Sequence, residues 1–188
     1  MRKPEHLRGT HLRRRQRLLN NLVDISRLDF GDITAHPTDF ALAPLFADLH
    51  REFAARAAAK GLELLMDSPT ACAHSDPLLV GKILQHLLSN AITYTPAGSV
   101  RVRCVPDETR VGIDVIDTGV GIAADQLPLI YDQFYQAGGT DRARESYGLG
   151  LSIVRRLVTL LAARIEVHSE LGRGSAFTLL LPGASAAH

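Results

Sequence analysis

The sequence predicts an α/β fold, a two-layer sandwich with helices on one face of a mixed, largely antiparallel sheet and one further helix in front. Three observations carry this expectation. Apolar residues recurring every three or four positions mark two helices with an inward face, one beginning at Asp76-Pro77 and one near Gly148. Short apolar runs at 62–66, 100–105, 111–116, 165–169 and 176–181 mark strands. The polar joint Asp107-Glu108-Thr109 makes the second and third of those strands an antiparallel hairpin.

Each element has a local reason. From about Thr10 to Asp29 the pattern is helical, with Leu18, Leu22 and Ile25 on one stripe and Leu12, Leu19 and Val23 beside it. Gly31 punctuates, and Ile33–Pro37 reads as extended. Thr38 or Asp39 caps a second helix, rich in alanine, that runs to Lys60 and is stopped by Gly61. Asp76 then offers a capping carboxylate ahead of proline at the first helical position. The helix it opens carries Leu79, Ile83, Leu87 and Ala91 in one row and Val80, Leu84, Leu88 and Ile92 in the next, and ends at Thr95-Pro96-Ala97-Gly98. A short helical segment is expected at Ile130, Phe134 and Tyr135. Residues 136–147 have no periodicity and read as a mobile loop. The last helix, from Gly148 to about Ala163, turns Leu151, Val154, Val158 and Leu161 inward. The two closing strands flank Gly172-Arg173-Gly174.

Composition narrows the function classes. The chain has 188 residues, 46% hydrophobic and 22% charged, with a net charge of +1, which gives no bulk argument for nucleic acid or a membrane surface. Seven of residues 1–17 are Arg or Lys, which reads first as a solvated helix end and second as a polyanion patch. Cys72 and Cys104 lack a C-x-x-C spacing, so neither a zinc site nor a disulfide framework is expected, and a reducing cytoplasm fits. No signal-peptide core and no apolar run near the roughly 18 residues of a membrane span are present.

Three stretches carry candidate chemistry. In VGIDVIDTGVGI, residues 111–122, a strand ends on Asp117 and is followed by Gly119 and Gly121. A carboxylate only accepts hydrogen bonds, so its natural ligand partner is an amine such as that of adenine, with the glycines opening the main chain to a flat group. The plain alternative is a capped strand-end turn. In YGLGLSIV, residues 147–154, Gly148 and Gly150 stand where a loop becomes a helix, and the helix N-terminus suits phosphates. A flexible helix entry is the plain alternative. In LLSNAITYTPAG, residues 87–98, Asn90 interrupts an apolar helix and has an amide oxygen fit for a hard cation, while Tyr94 lies one turn on. An exposed polar position is the plain alternative there.

Taken in order, Asn90, Asp117-x-Gly119-x-Gly121, Phe134, Gly148-x-Gly150 and GRGSAFTLLLP at 172–182 resemble the catalytic, ATP-binding domain of sensor histidine kinases. That domain has the Bergerat-type fold shared with gyrase, the ninety-kilodalton chaperone and the mismatch-repair ATPases. RLLNNLVDISRLDFGDI at 17–33 resembles the end of the second dimerisation helix, which favours the kinase branch. The domains are then 1–33, a partial dimerisation helix and linker; 34–183, the ATP-binding domain; and 184–188, a tail.

The resemblance implies roles. Asn90 is the catalytic residue and holds Mg2+ bridging the phosphates of ATP. Asp117 takes the adenine amine, with Gly119, Gly121 and Ile122 lining the base and Tyr94 stacking beside it. Tyr131 and Phe134 anchor a lid at 136–147, with Arg142 and Arg144 as phosphate contacts. Gly148, Leu149, Gly150 and Leu151 close over the phosphates, and Ser175 joins the water network at the adenine. Four positions depart from the family pattern: His86 for a usual asparagine, Thr93 for a lysine that reaches a phosphate, Ser146 for the first glycine of G-x-G-x-G, and Ala162-Ala163 for Gly-Gly.

The implied function is a two-component kinase domain that delivers the ATP γ-phosphate to a histidine on a dimerisation helix, acting mainly by positioning and electrostatics. Implied partners are that helix hairpin and a response regulator receiver domain. Weak self-association through residues 12–29 is also expected, because half a hairpin leaves its apolar face open. His6 is followed by Leu-Arg-Gly and His11 by Leu-Arg-Arg, neither of which matches a phosphoacceptor, so the chain alone is expected not to label itself. Two rivals remain: a degenerate nucleotide-binding or interaction module, motivated by His86, Thr93 and Ser146, and an ATPase of the same superfamily, disfavoured because no transducer domain follows Pro182.

Overall fold

A computed structural model of the chain describes residues 6–106, 109–136 and 147–184, with side chains from residue 16 on except those of Arg17 and Pro106. Helix α1 spans His6–Asp29, strand β1 Thr38–Ala41, helix α2 Leu42–Ala59, strand β2 Glu63–Met66, strand β3 Cys72–Ser75 and helix α3 Pro77–Tyr94. Strands β4 (Ser99–Pro106) and β5 (Arg110–Asp117) follow, then helix α4 (Gly150–Leu160) and strands β6 (Arg164–Glu170) and β7 (Gly174–Pro182). The main sheet has the order β2-β4-β5-β7-β6, parallel only between β2 and β4. Helix α3 lies between α2 and α4 and packs on β4 and β5, so the expected two-layer α/β sandwich is the observed one.

Local chemistry explains the strongest elements. Asp76 Oδ1 accepts hydrogen bonds from the N–H groups of Leu78 (2.9 Å) and Leu79 (3.1 Å), capping α3 as its sequence proposed. The second carboxylate oxygen accepts from His36 N–H at 2.9 Å, tying the β1 approach to the same cap. Both apolar rows of α3 are buried, from Leu79 to Ile92, because α3 faces the sheet and has a helix on either side. At its other end, Lys60 Nζ on the segment after α2 donates to the carbonyl of Thr93 at 2.7 Å, placing a cation on the negative end of α3.

Several expected boundaries are corrected. Thr38 and Asp39 do not cap α2. They belong to β1, which pairs antiparallel with β3 (Thr38↔Ser75 to Ala41↔Cys72), and α2 begins at Leu42 with Pro44 inside its first turn. Pairing partners thirty residues away override the helical tendency of this segment, and β3 itself was not expected. The helical segment proposed for Ile130–Tyr135 is a 3-10 turn at Leu127–Leu129 followed by irregular chain, in which Phe134 takes φ +64°. The last helix begins at Gly150 rather than Gly148.

Helix α4 ends on a residue that fits poorly. Ala163 N–H donates to Val158 O (3.0 Å) and Ala162 N–H to Thr159 O (3.1 Å), a Schellman ending with Ala162 at the left-handed position, φ +49°. Left-handed backbone costs an L-residue about 1–2 kcal/mol, of which glycine's greater unfolded freedom returns about half. Ala162→Gly should therefore stabilise the protein by about 0.5–1 kcal/mol, read as a rise of roughly 1–4 °C in the calorimetric Tm. An unchanged or lowered Tm would refute this account of the helix end.

Helix α1 docks on the layer of helices. Ile25 is buried, Leu18 and Leu28 pack partly against the core, and Asp24 and Asp29 pair with Lys82 (3.2 Å) and Arg156 (2.7 Å). This divides the stripe read from the sequence. Leu22, grouped there with Leu18 and Ile25, is exposed together with Leu19 and Val23, so the open apolar face of α1 is Leu19, Leu22 and Val23.

Candidate functional site

Asp117 ends β5, hydrogen-bonded on one side in register with Val100 and on the other with Ser175. The central position of β5 keeps it 8% exposed, and that burial pushes its carboxyl above the usual range, opposed by hydrogen bonds from the N–H groups of Gly119 (2.8 Å) and Ser175. Thr95, the residue after α3, sets its hydroxyl beside the same carboxylate. That hydroxyl is wholly buried and makes no hydrogen bond of good geometry among the described residues. A buried carboxylate acceptor with a hydroxyl beside it, whose hydrogen bond also lowers the Asp117 pKa, suits an adenine amine and a bridging water.

Protein backbone and side chains close on both glycines, as the strand-end-turn reading of the sequence allows. A Cβ on Gly119 would lie 2.5 Å from Tyr94 O, 2.7 Å from Asp117 Oδ1 and 2.9 Å from Thr95 Oγ1. On Gly121, at φ +68°, it would lie 2.0 Å from Glu170 O. The 118–122 segment is thus wedged between the end of α3 and the β6–β7 turn, with Val120 N–H donating to Tyr94 O (3.2 Å) and Gly172 N–H to Val120 O (2.7 Å). Ser169 Oγ accepts from Ile122 N–H at 2.8 Å and lies 2.9 Å from Ser175 Oγ, which connects Ile122 and Ser175. Neither Thr95 nor Ser169 was singled out from sequence. Thr95 has a signal, adjacency to Tyr94, whereas Ser169 acts across 47 residues and has none.

The second cluster lies one turn back along α3. Among the described residues no side chain caps the N-terminus of α4, and the first N–H groups of a helix suit an anion. A Cβ on Gly150 would lie 3.4 Å from His86 Nδ1 and 3.8 Å from Asn90 Oδ1, so the structure brings Asn90 and the G-x-G turn together as the sequence suggested. Leu149 supplies backbone only, its side chain being in the core, while Leu151 is half-buried. Gly148 packs against the Phe134–Tyr135 backbone, with Phe134 N–H donating to Gly148 O at 2.9 Å.

The remaining residues fall into place less uniformly. Tyr131 is half-buried under the guanidinium of Arg155, 5.8 Å from the ring centroid, and burial raises its hydroxyl pKa. Phe134 is 62% exposed, so it is not buried as an anchor. Tyr94 is half-buried. Thr93 turns toward α2, where Arg56 donates to its Oγ1 at 2.8 Å and the hydroxyl donates to Ser89 O at 2.7 Å. The lid at 136–147, with Arg142, Arg144 and Ser146, lies outside the described residues apart from its first and last members.

The donor chemistry fits a nucleotide with magnesium. No group of three or more His, Cys, Asp or Glu among the described residues could hold a metal ion. A hard cation beside Asn90 would need phosphate oxygens and water to complete its shell, as Mg2+ commonly does.

Residues 75–185 match the family model described as histidine kinase-, DNA gyrase B- and HSP90-like ATPase, more than half of the chain. The chain belongs to that family. Family relatives include the autoinducer 2 sensor kinase/phosphatase LuxQ of Vibrio cholerae, 37% identical over 88% of this chain and 20% of that protein. The adaptive-response sensory kinase SasA of Synechococcus elongatus is 32% identical over 92% of this chain and 46% of that protein. Among solved structures, full-length ShkA in complex with AMPPNP covers 96% of this chain and 37% of that one, with 30% identity and a TM-score of 0.81. Acinetobacter baumannii AdeS, 20% identical, shares the fold over 97% of this chain and 86% of that one, with a TM-score of 0.78. The chain spans about a fifth of the length of the first sensor kinases it matches.

Proposed function

We propose that this chain is the ATP-binding catalytic part of a two-component sensor histidine kinase, with α1 as the end of its dimerisation hairpin. The observation that carries the reading is the pair of clusters set one turn apart along the end of α3. The buried Asp117 has the Thr95 hydroxyl beside it, and about one turn back along α3 from Thr95 stands Asn90, next to Gly150 at the start of α4. The named relatives are sensor kinases, and ShkA was solved with an ATP analogue, which supports ATP as the ligand.

In this reading Asp117 and the Thr95 hydroxyl receive the adenine, with Gly119, Gly121 and Ile122 beside the base, Tyr94 at its edge and Ser175 reaching it through water. The N–H groups of Gly148 to Leu151 face the phosphates, joined by Arg142 and Arg144 from the lid, which Tyr131 supports. Asn90 orients a Mg2+ ion, which when bound supplies charge neutralisation at the phosphates. The γ-phosphoryl passes to an imidazole nitrogen of a dimerisation-hairpin histidine. A P–N bond forms as the P–O bond to ADP breaks, and the product then serves a response regulator receiver domain. ATP and two free thiols, Cys72 and Cys104, suit the cytoplasmic side of a membrane, although no helix among the described residues is long and apolar enough to cross one.

The test is incubation with γ-labelled ATP and magnesium, alone and with a separately supplied dimerisation hairpin bearing its histidine. Acid-labile, base-stable label is expected on the hairpin and not on this chain. Because Thr93 is engaged with α2 instead of presenting a cation, a module that binds nucleotide without transfer is the second reading. ATP binding with an unlabelled hairpin would favour it, and steady phosphate release with no phosphoprotein would favour an ATPase.

A further inference from the structure

Val100, Asp117, Ser175 and Ser169 are paired in register across β4, β5, β7 and β6, so their side chains share one face of the sheet. Ser169 is the polar member of this row that the proposed function leaves unused. Its hydroxyl oxygen has three polar neighbours: Ile122 N at 2.8 Å, Gly174 O at 3.0 Å and Ser175 Oγ at 2.9 Å. A serine hydroxyl has one proton and two lone pairs, and these three contacts use all of them. The N–H of Ile122 can only donate, so it occupies one lone pair. The carbonyl of Gly174 can only accept, so it takes the proton. One lone pair is left, and Ser175 must donate its own proton to it. Any other arrangement sets Ser169 Oγ against Gly174 O or Ser175 Oγ with no proton between them. Ser175 is thereby turned proton-inward. Its backbone N–H already donates to the Asp117 carboxylate, and its hydroxyl has only lone pairs left to offer a ligand.

We propose that Ser169 is a positioning residue for base selection: by taking the Ser175 proton it leaves Asp117 and Ser175 both presenting acceptors, which favours an amino-purine over an oxo-purine. The inference rests on the nucleotide-binding reading above and adds a residue that acts through Ser175 instead of on the base. An exocyclic amine supplies protons to such an edge, whereas an oxo group in its place brings one more acceptor. A Ser175 hydroxyl released from Ser169 can rotate and donate to that oxygen, so part of the discrimination depends on a side chain one strand away. The same Ser169 oxygen holds the N–H of Ile122, so this contact also ties the segment after Gly121 to β6.

The experiment titrates the full chain, with magnesium, against ATP and against inosine triphosphate, which carries oxygen in place of the adenine amine. Wild type should prefer ATP. Ser169→Ala should narrow the ratio of the two affinities by roughly two- to tenfold, the worth of one neutral hydrogen bond. Ser169→Cys, which fills the same space with a far weaker hydrogen-bonding group, should narrow it alike, and Ser169→Thr, which keeps the hydroxyl, should hold the wild-type ratio. The deciding comparison is Ser169→Ala in a Ser175→Ala background, where no proton remains to be released and the ratio should not change further. Loss of support for Ile122 persists in that background, so it is separated from the effect on Ser175. A ratio that Ser169→Ala leaves unchanged, or narrows equally without Ser175, overturns the inference and leaves the ATP-binding reading intact. A wild type that binds ATP and inosine triphosphate alike does the same. No ATP binding by wild type overturns both.

Discussion

Asp117→Asn is expected to lose ATP affinity by roughly 10- to 100-fold, the equivalent of a charged hydrogen bond of about 1.5–3 kcal/mol. The cause lies in the site's geometry. Asp117 Oδ1 is held by the N–H of Gly119, so a carboxamide keeps that bond only by putting its oxygen there, and its NH2 then faces the adenine amine donor to donor. Stability should move the other way. Burial raises the folded-state pKa of Asp117, so the folded protein disfavours the charged form. Its contribution to stability is therefore full below the ordinary carboxylate pKa of 3.8 and is lost as pH rises through the higher folded value. Removing the charge should leave the empty protein at least as stable as wild type near neutral pH, and flatten its stability profile just above pH 4. Calorimetric ATP titration and urea unfolding across pH test the pair. Equal ATP affinity in the two proteins would remove Asp117 from the base site, and an Asn variant less stable at pH 7 would show that the buried charge is not a cost.

Gly121→Ala is expected to destabilise the fold by about 2–4 kcal/mol, lowering Tm by roughly 5–15 °C. Two effects add. The residue has φ +68°, and the new methyl would meet Glu170 O at 2.0 Å and Glu170 C at 2.7 Å, both backbone atoms of the β6–β7 turn that cannot swing aside. Gly61 separates the two, since it has φ +70° with nothing within 4 Å of where an added methyl would stand, so Gly61→Ala carries the backbone cost alone, about 1–2 kcal/mol. The difference between the variants measures the clash. Nucleotide binding should weaken in Gly121→Ala and not in Gly61→Ala, because the displaced segment also positions Ile122 through Ser169 and borders Gly119. Equal Tm losses in the two variants would show that the wedge between α3 and the β6–β7 turn is loose.

Whatever local signals encode was legible in the chain alone. The Asp76-Pro77 start of α3, the two four-spaced apolar rows behind it, the β4–β5 hairpin and the D-x-G-x-G strand end all depend on neighbours within a turn or a hairpin. Each therefore reads directly from the residues. The ordered motifs also set the family, now supported over residues 75–185. Features that depend on partners far away in sequence emerged only from the folded chain. The four-residue strands β1 and β3 have no periodicity strong enough to announce them, and exist because they pair with each other across thirty residues. The stripe on α1 looked continuous, but Ile25 turns into the helix layer while Leu22 stays exposed, since docking geometry and the Asp24–Lys82 and Asp29–Arg156 pairs choose the angle of contact. Gly119 and Gly121 were legible as places of close approach. That the approaching atoms are Tyr94 O and Glu170 O followed only once β5 and β7 had been laid side by side, because a missing Cβ records that space is needed and not what fills it.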